Sequence, residues 1–256
     1  YYRWRVQLQL AIVQAHSSAT PSYPCPARYR LSVHPGYGLY SQRVDGLFRD
    51  LSNLESLELG PGCDITVPTI HLPPSLTRLS LPLELPCWQT FGNSMWQYTF
   101  AGRLPALRDF DITCRWGPAD PDDDSWGPTQ GSLDLGCLRW LAPNLEGLAV
   151  NYRAMGSYDR ELTLGRAERM PPGLRSLTLL HLCPGNEAFL HELATLEHLT
   201  RLSLPRCSID CAPAHLQGLT QLQELQLEGC SSRVVGSSLA PLRGLPRLRR
   251  LSLACS

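Results

Sequence analysis

From Leu54 onward the chain repeats one arrangement of apolar and polar positions: an apolar residue, two variable residues, a leucine, one variable residue and a second apolar residue. Pro or Leu commonly stands just upstream. The clearest copies are Leu54-Leu57-Leu59, Leu76-Leu79-Leu81, Leu174-Leu177-Leu179, Leu199-Leu202-Leu204, Leu222-Leu225-Leu227 and Leu248-Leu251-Leu253, with looser copies at Leu107-Phe110-Ile112 and Leu145-Leu148-Val150. Their first positions lie 22, 31, 38, 29, 25, 23 and 26 residues apart. The last two apolar residues of each copy alternate at period two, which predicts a short strand whose leucines point one way. One strand cannot bury that face by itself. Eight such strands side by side can, so the pattern predicts a parallel sheet over a continuous leucine core, each connector returning the chain to start the next strand.

The connectors differ in character. Residues 186–199 (NEAFLHELATLEHL) place Phe189, Leu190, Leu193, Leu196 and Leu199 on one helical stripe, predicting a helix on the convex side. Residues 212–222 and 237–248 read as shorter helical or irregular connectors. The longest step holds an insertion at 115–131, rich in Gly, Pro and Asp, expected to leave the solenoid as a loop. Residues 1–50 lack a firm repeat and read as degenerate copies or a cap, with Leu8-Leu10 and Leu31-Val33 as candidate strands. The expected organisation is therefore an N-terminal segment, 1–50, and a repeat domain, 51–256.

The repeats resemble the leucine-rich-repeat family, whose period is about 20–29 residues. The run from Leu199 to Cys230 (LTRLSLPRCSIDCAPAHLQGLTQLQELQLEGC) is similar to the cytoplasmic type seen in plants and algae. In that family Asn or Cys at the ninth repeat position holds the turn after the strand. Cys207 and Cys230 fall there, and Cys63, Cys114, Cys183 and Cys255 fall within one residue of it. The resemblance implies an α/β leucine-rich-repeat solenoid, with a curved parallel sheet on the concave face and helical or irregular connectors on the convex face. It also implies a protein-binding role. Similar repeats serve in ubiquitin-ligase adaptors of the F-box type, in immune receptors and in axonemal scaffolds, and these readings stay open beside a plain interaction scaffold. Because the chain starts at Tyr1 and stops just after Leu253, where a polar terminal cap would be needed, a longer natural protein is expected.

Composition narrows the partner. Acidic and basic residues balance at 23 each, so no overall basic field calls for nucleic acid or a membrane surface. All the basic residues counted are arginine, which fits a ligase subunit that escapes self-modification and fits a GC-rich genome equally. The ten cysteines are spread without a dense framework, and none of the five asparagines begins a glycosylation sequon. An intracellular, cytoplasmic protein is expected, with the cilium as the alternative. No run is long and apolar enough to predict a membrane span.

Candidate chemistry is sparse. Phosphate-binding glycine loops and a nucleophile elbow are missing from the sequence, so we expect no enzyme, no cofactor and no small-molecule substrate. His191-Glu192 begins a zinc-helix motif, but Thr195 stands in the place of the second histidine. Asp120, Asp122 and Asp124 match the first half of a calcium loop, but Ser125 replaces the turn glycine and Gly131 the closing glutamate. Trp116 and Trp126 flank this acidic run, as partner anchors or as packing residues. Arg243, Arg247, Arg249 and Arg250 form one basic cluster at the last repeat.

The surface of greatest promise is the concave one. Strand geometry aligns Ser56, Arg78, Asp109, Gly147, Ser176, Arg201, Glu224 and Arg250 just before the middle leucine. Glu58, Ser80, Asp111, Ala149, Thr178, Ser203, Gln226 and Ser252 form the next line. Both are polar and mixed in sign, suiting a protein or peptide partner better than a polyanion. Arg78, Asp109, Asp111, Tyr152, Arg175, Arg201, Glu224 and Arg250 are the side chains expected to hold it.

Overall fold

The computed structural model describes residues 29–33, 51–59, 72–85, 102–116, 130–133, 135–153, 161–164, 167, 170–180, 187–205, 216–227 and 240–253. Nine of its strands form one parallel sheet: β1 (Tyr29–Val33), β2 (Leu54–Leu59), β3 (Arg78–Leu85), β4 (Asp109–Trp116), β6 (Gly147–Arg153), β8 (Ser176–Leu180), β9 (Arg201–Ser203), β10 (Glu224–Gln226) and β11 (Arg250–Ser252). The order in space follows the order in sequence. Every repeat therefore packs on the one before it, as a solenoid requires.

The leucine positions explain this arrangement. First, middle and last apolar residues of the copies from Leu54 through Leu225 are all buried, most of them at 0–3% exposure. Phe110 and Ile112 fill the same places in β4, and Cys114 continues that strand's inward side. At the far end the pattern breaks: Leu251 is 42% exposed, because β11 has no described strand on its outer side to cover it.

A second regularity lies just upstream of the strands. The amide of the first leucine in each copy donates to the carbonyl three residues back, as in Leu54 to Leu51, Leu107 to Leu104, Leu174 to Pro171 and Leu248 to Leu245. The residue closing this turn is apolar, and Leu104, Ala142, Leu196, Leu219 and Leu245 among them are buried. The apolar residue three positions upstream, Leu or Pro in all but the Leu145 copy and buried in all but the Leu54 copy, is thus part of a tight turn that aims the chain into the sheet.

Neighbouring repeats are then joined by a backbone rail. The carbonyl of Thr77 accepts from Arg108 and Asp109, that of Arg108 from Glu146 and Gly147, and that of Glu146 from Arg175 and Ser176. The series continues through Arg175, Thr200 and Gln223 to Arg249 and Arg250, with bonds of 2.7–3.0 Å. Two hydroxyls strengthen it: Thr77 donates to Glu55 and Thr200 to Arg175, each at 3.0 Å.

On the convex side the chain forms α1 (Leu138–Leu141), preceded by a 3-10 turn at Leu135–Cys137. Further on comes α2 (Glu187–Glu192), which tightens into a 3-10 turn at Leu193–Thr195. The stripe expected at 186–199 is therefore helical for six residues and then tighter, with Phe189, Leu193 and Leu196 buried. Adjacent connectors approach closely at Gly218, where a Cβ would lie 2.4 Å from that of Ala194.

Leu31-Val33, expected as a candidate strand in the N-terminal segment, lies in β1 and pairs with β2. Other features were not anticipated. A separate two-stranded parallel sheet joins β5 (Gln130–Leu133) to β7 (Glu161–Leu164). Arg115 and Trp116, at the start of the expected insertion, belong to β4, and Gly131, at its end, belongs to β5. The acidic run Asp120–Ser125, Trp126, the Leu8-Leu10 strand and Cys63, Cys183, Cys207, Cys230 and Cys255 lie outside the described residues. Of the cysteine level, Cys114 is seen and is fully buried, and burial pushes its thiol up to about 12, which makes it unreactive.

Position in the stack should set the cost of losing a leucine. Leu177→Ala, in the middle of the sheet, should destabilise by about 2–5 kcal/mol, and Leu251→Ala, already partly exposed on the last described strand, by less than about 1 kcal/mol. Urea unfolding followed by circular dichroism checks the difference.

Candidate concave binding face

Strand register decides which side chains share the concave face. Ser56 pairs with Arg78, Arg78 with Asp109, Asp109 with Gly147 and Gly147 with Ser176. The line continues through Arg201 and Glu224 to Arg250. One step along the strands, Glu58, Ser80, Asp111, Ala149, Thr178, Ser203, Gln226 and Ser252 align in the same way. Each line alternates with a buried leucine line, so its side chains face away from the core.

Six of the eight expected site residues fall on these two lines: Arg78, Asp109, Asp111, Arg201, Glu224 and Arg250. Arg175 does not. It is exposed one position earlier, in the rail with Glu55, Thr77, Arg108, Glu146, Thr200, Gln223 and Arg249, at the N-terminal rim of the sheet. Tyr152 stands farther along β6, in register with Cys114, beyond both lines.

Between the lines runs an open groove of about 430 Å³, floored by residues from Ser56 and Glu58 in β2 to Arg201 in β9. A smaller depression of about 210 Å³ continues it past Ser203, Glu224 and Gln226. The middle of the floor is made of Gly147, Ala149, Ser176 and Thr178. Side chains large enough to fill the groove are missing there, which keeps it open.

Charged groups pair across strands. Arg78 Nε lies 3.2 Å from Asp109 Oδ2, and Arg250 Nη2 lies 2.9 Å from Glu224 Oε1. At the rim, Arg108 Nη1 is 2.7 Å from Glu146 Oε1. These pairs are largely solvent-exposed, a setting where an ion pair adds about 0–1 kcal/mol, so they shape the surface more than they hold the fold. Gly147 has a local role here: a Cβ on it would sit 2.6 Å from Asp109 Oδ1, so the missing side chain gives the Asp109 carboxylate its place.

Asp111 is the titratable group most altered by the site. Partial burial raises its pKa above the usual aspartate value; the Asn151 amide, donating to Oδ1 at 2.9 Å, pulls it back down, and the nearby Glu58 carboxylate raises it again. Asn151 and Glu58 matter to the site although neither was among the expected contact residues. The signal for Asn151 was its strand position, two residues beyond Ala149, with Asp111 one strand away.

The basic cluster at the last repeat is partly engaged within the protein. Arg247 donates to the Gln221 side chain and Arg250 pairs with Glu224, while Arg243 and Arg249 are exposed. His191 and His198 are exposed, and among the described residues no three His, Cys, Asp or Glu side chains are placed to share a metal ion. No described helix is long and apolar enough to cross a membrane.

The balance of effects at Asp111 can be read directly. Glu58→Gln should lower its pKa and Asn151→Ala should raise it, as followed by carbon NMR titration of the Asp111 carboxyl. Because the folded-state value lies above the unfolded one, Asp111 favours folding below the ordinary aspartate range, and that contribution is lost as pH rises through its folded value.

No protein-family model and no curated protein matches the chain. Among solved structures, an internalin from Listeria monocytogenes is similar over 89% of this chain and 80% of its own, at 14% identity and a TM-score of 0.30. The fold is defined by the chain itself: sequential parallel strands, one inward leucine set per strand and a turn-and-rail junction repeated from β2 to β11 make it a leucine-rich-repeat solenoid.

Proposed function

We propose that the protein is a non-catalytic interaction scaffold that holds a protein partner on the concave face of its solenoid. The observation that supports this most is the pair of polar lines running over eight strands beside an open groove, with no described segment of the chain lying over them. Small residues at Gly147, Ala149 and Ser176 let a partner's backbone come close, and the flanking charges of both signs select orientation. The face suits neither nucleic acid, which would call for a basic stripe, nor a small-molecule substrate, since the groove is open along its length. Spread cysteines and missing sequons favour a cytoplasmic setting over a secreted one.

The second reading is the substrate-recognition part of a ubiquitin ligase: the lysine-free composition is compatible with it, since such a chain offers no side-chain amine for its own modification, and is equally compatible with a GC-rich genome. Reconstituted ubiquitylation that labels a bound partner and spares this chain supports that reading. A partner that stays unlabelled counts against it.

Reversing the concave arginines together, Arg78→Glu, Arg201→Glu and Arg250→Glu, should weaken partner capture by about tenfold or more. Arg139→Glu, an exposed change on the convex helix α1, should leave capture intact. Affinity purification of the variants followed by mass spectrometry reads both. An unchanged partner set in the concave triple variant would remove this face from consideration.

A further inference from the structure

The charges on the concave face are not scattered evenly once the internal pairs are set aside. Asp109 is taken by Arg78 and Glu224 by Arg250. What remains in the groove at the β2–β4 end is Glu58 and Asp111, two carboxylates near enough for one to disfavour ionisation of the other. What remains at the β9 end is Arg201, exposed and without an ion pair among the described residues. The floor between them is uncharged and small: Gly147, Ala149, Ser176 and Thr178, supplied by β6 and β8.

The dimensions follow from the sheet. Asp111 on β4 and Arg201 on β9 are three strand steps apart, through β6 and β8. At about 4.8 Å per step the separation across the sheet is about 14 Å. An extended polypeptide covers about 3.3–3.6 Å per residue, so four residues span it. A chain crossing the strands there meets no bulky side chain on the way and finds the Ser176 and Thr178 hydroxyls along its path.

We infer that the groove takes an extended peptide segment of a partner protein, with a basic side chain over Glu58 and Asp111 and an acidic side chain, about four residues away, against Arg201. The inference rests on the concave-face reading above and adds the chemistry and spacing of the segment bound there. Opposite charges at the two ends fix the direction in which the segment lies, because a reversed segment puts like charges together at both ends. A polyanion is repelled at one end and a purely basic segment at the other.

The test selects random peptides displayed on phage against the whole immobilised chain, with unfolding curves confirming that each variant is folded. For the unaltered protein, peptides with one basic and one acidic residue about four positions apart should be enriched about tenfold over the starting library. Arg201→Glu makes both ends of the groove acidic, so the acidic position of the selected peptides should be replaced by a basic one. A misfolded protein cannot produce such an exchange. Ala149→Trp, which fills the floor, should abolish selection.

If Arg201→Glu leaves the selected charges unchanged while Ala149→Trp still abolishes selection, the charge assignment is overturned and the concave reading stands. If Ala149→Trp has no effect, both fall. Selected peptides lacking the charge pair, or no enrichment at all, overturn the inference. So does concentration-dependent self-association in sedimentation that Arg201→Glu removes, since the occupant would then be a second copy of the chain.

Discussion

The structure depends on the inability of a three- to eight-residue strand to bury its own leucines. A lone strand offers one apolar face to water, and each leucine left exposed forgoes about 1.5–3 kcal/mol of transfer free energy. Only a neighbour with the same spacing on the same side relieves this, so each repeat is stable through the repeat beside it. The nearly complete burial from Leu54 to Leu225, and its failure at Leu251 on the last described strand, are two views of one requirement. The same alternation that sends leucines inward sends Arg78, Asp109 or Thr178 outward. A solenoid core and a continuous polar face are therefore built by a single periodicity.

Burial alone would tolerate slippage between strands, and the rail of shared carbonyls is what limits it. Each carbonyl from Thr77 to Gln223 takes two amides of the next repeat, and those amides belong to the residues that enter the strand. Connector length can then vary widely without disturbing alignment. The 38-residue step between Leu107 and Leu145 joins the same rail as the 22-residue step between Leu54 and Leu76. Extra chain is accommodated elsewhere, part of it in the β5–β7 pair.

Much of this was legible in the amino-acid sequence because the repeat states its own register. Knowing which leucine is the middle one in two copies is enough to say that Arg201 lies beside Glu224, and the two outward lines follow residue for residue. What the repeat does not state is anything that depends on side-chain reach or on a departure from the period. Arg175 was placed on the concave face although the position before the strand turns to the rim. The pairing of Arg78 with Asp109, the space that Gly147 leaves for it and the grip of Asn151 on Asp111 join residues 31–40 positions apart through rotamers that no pattern encodes. The β5–β7 pair occurs once, outside the repeated unit, and so has no periodic signal. The upstream Pro or Leu was visible from the start, but its purpose as part of a turn emerges only with the hydrogen bonds.

The proposed function rests on that outward face, where the register lines up charge at both ends of an uncharged floor. Its direct test is the alignment itself, measured in solution by nuclear Overhauser contacts between backbone protons of neighbouring strands. Thr178 should show contacts to Ala149 on one side and to Ser203 on the other, as the parallel pairing requires. Contacts displaced by one residue would send Thr178 into the core line, dissolve both polar lines and contradict the account.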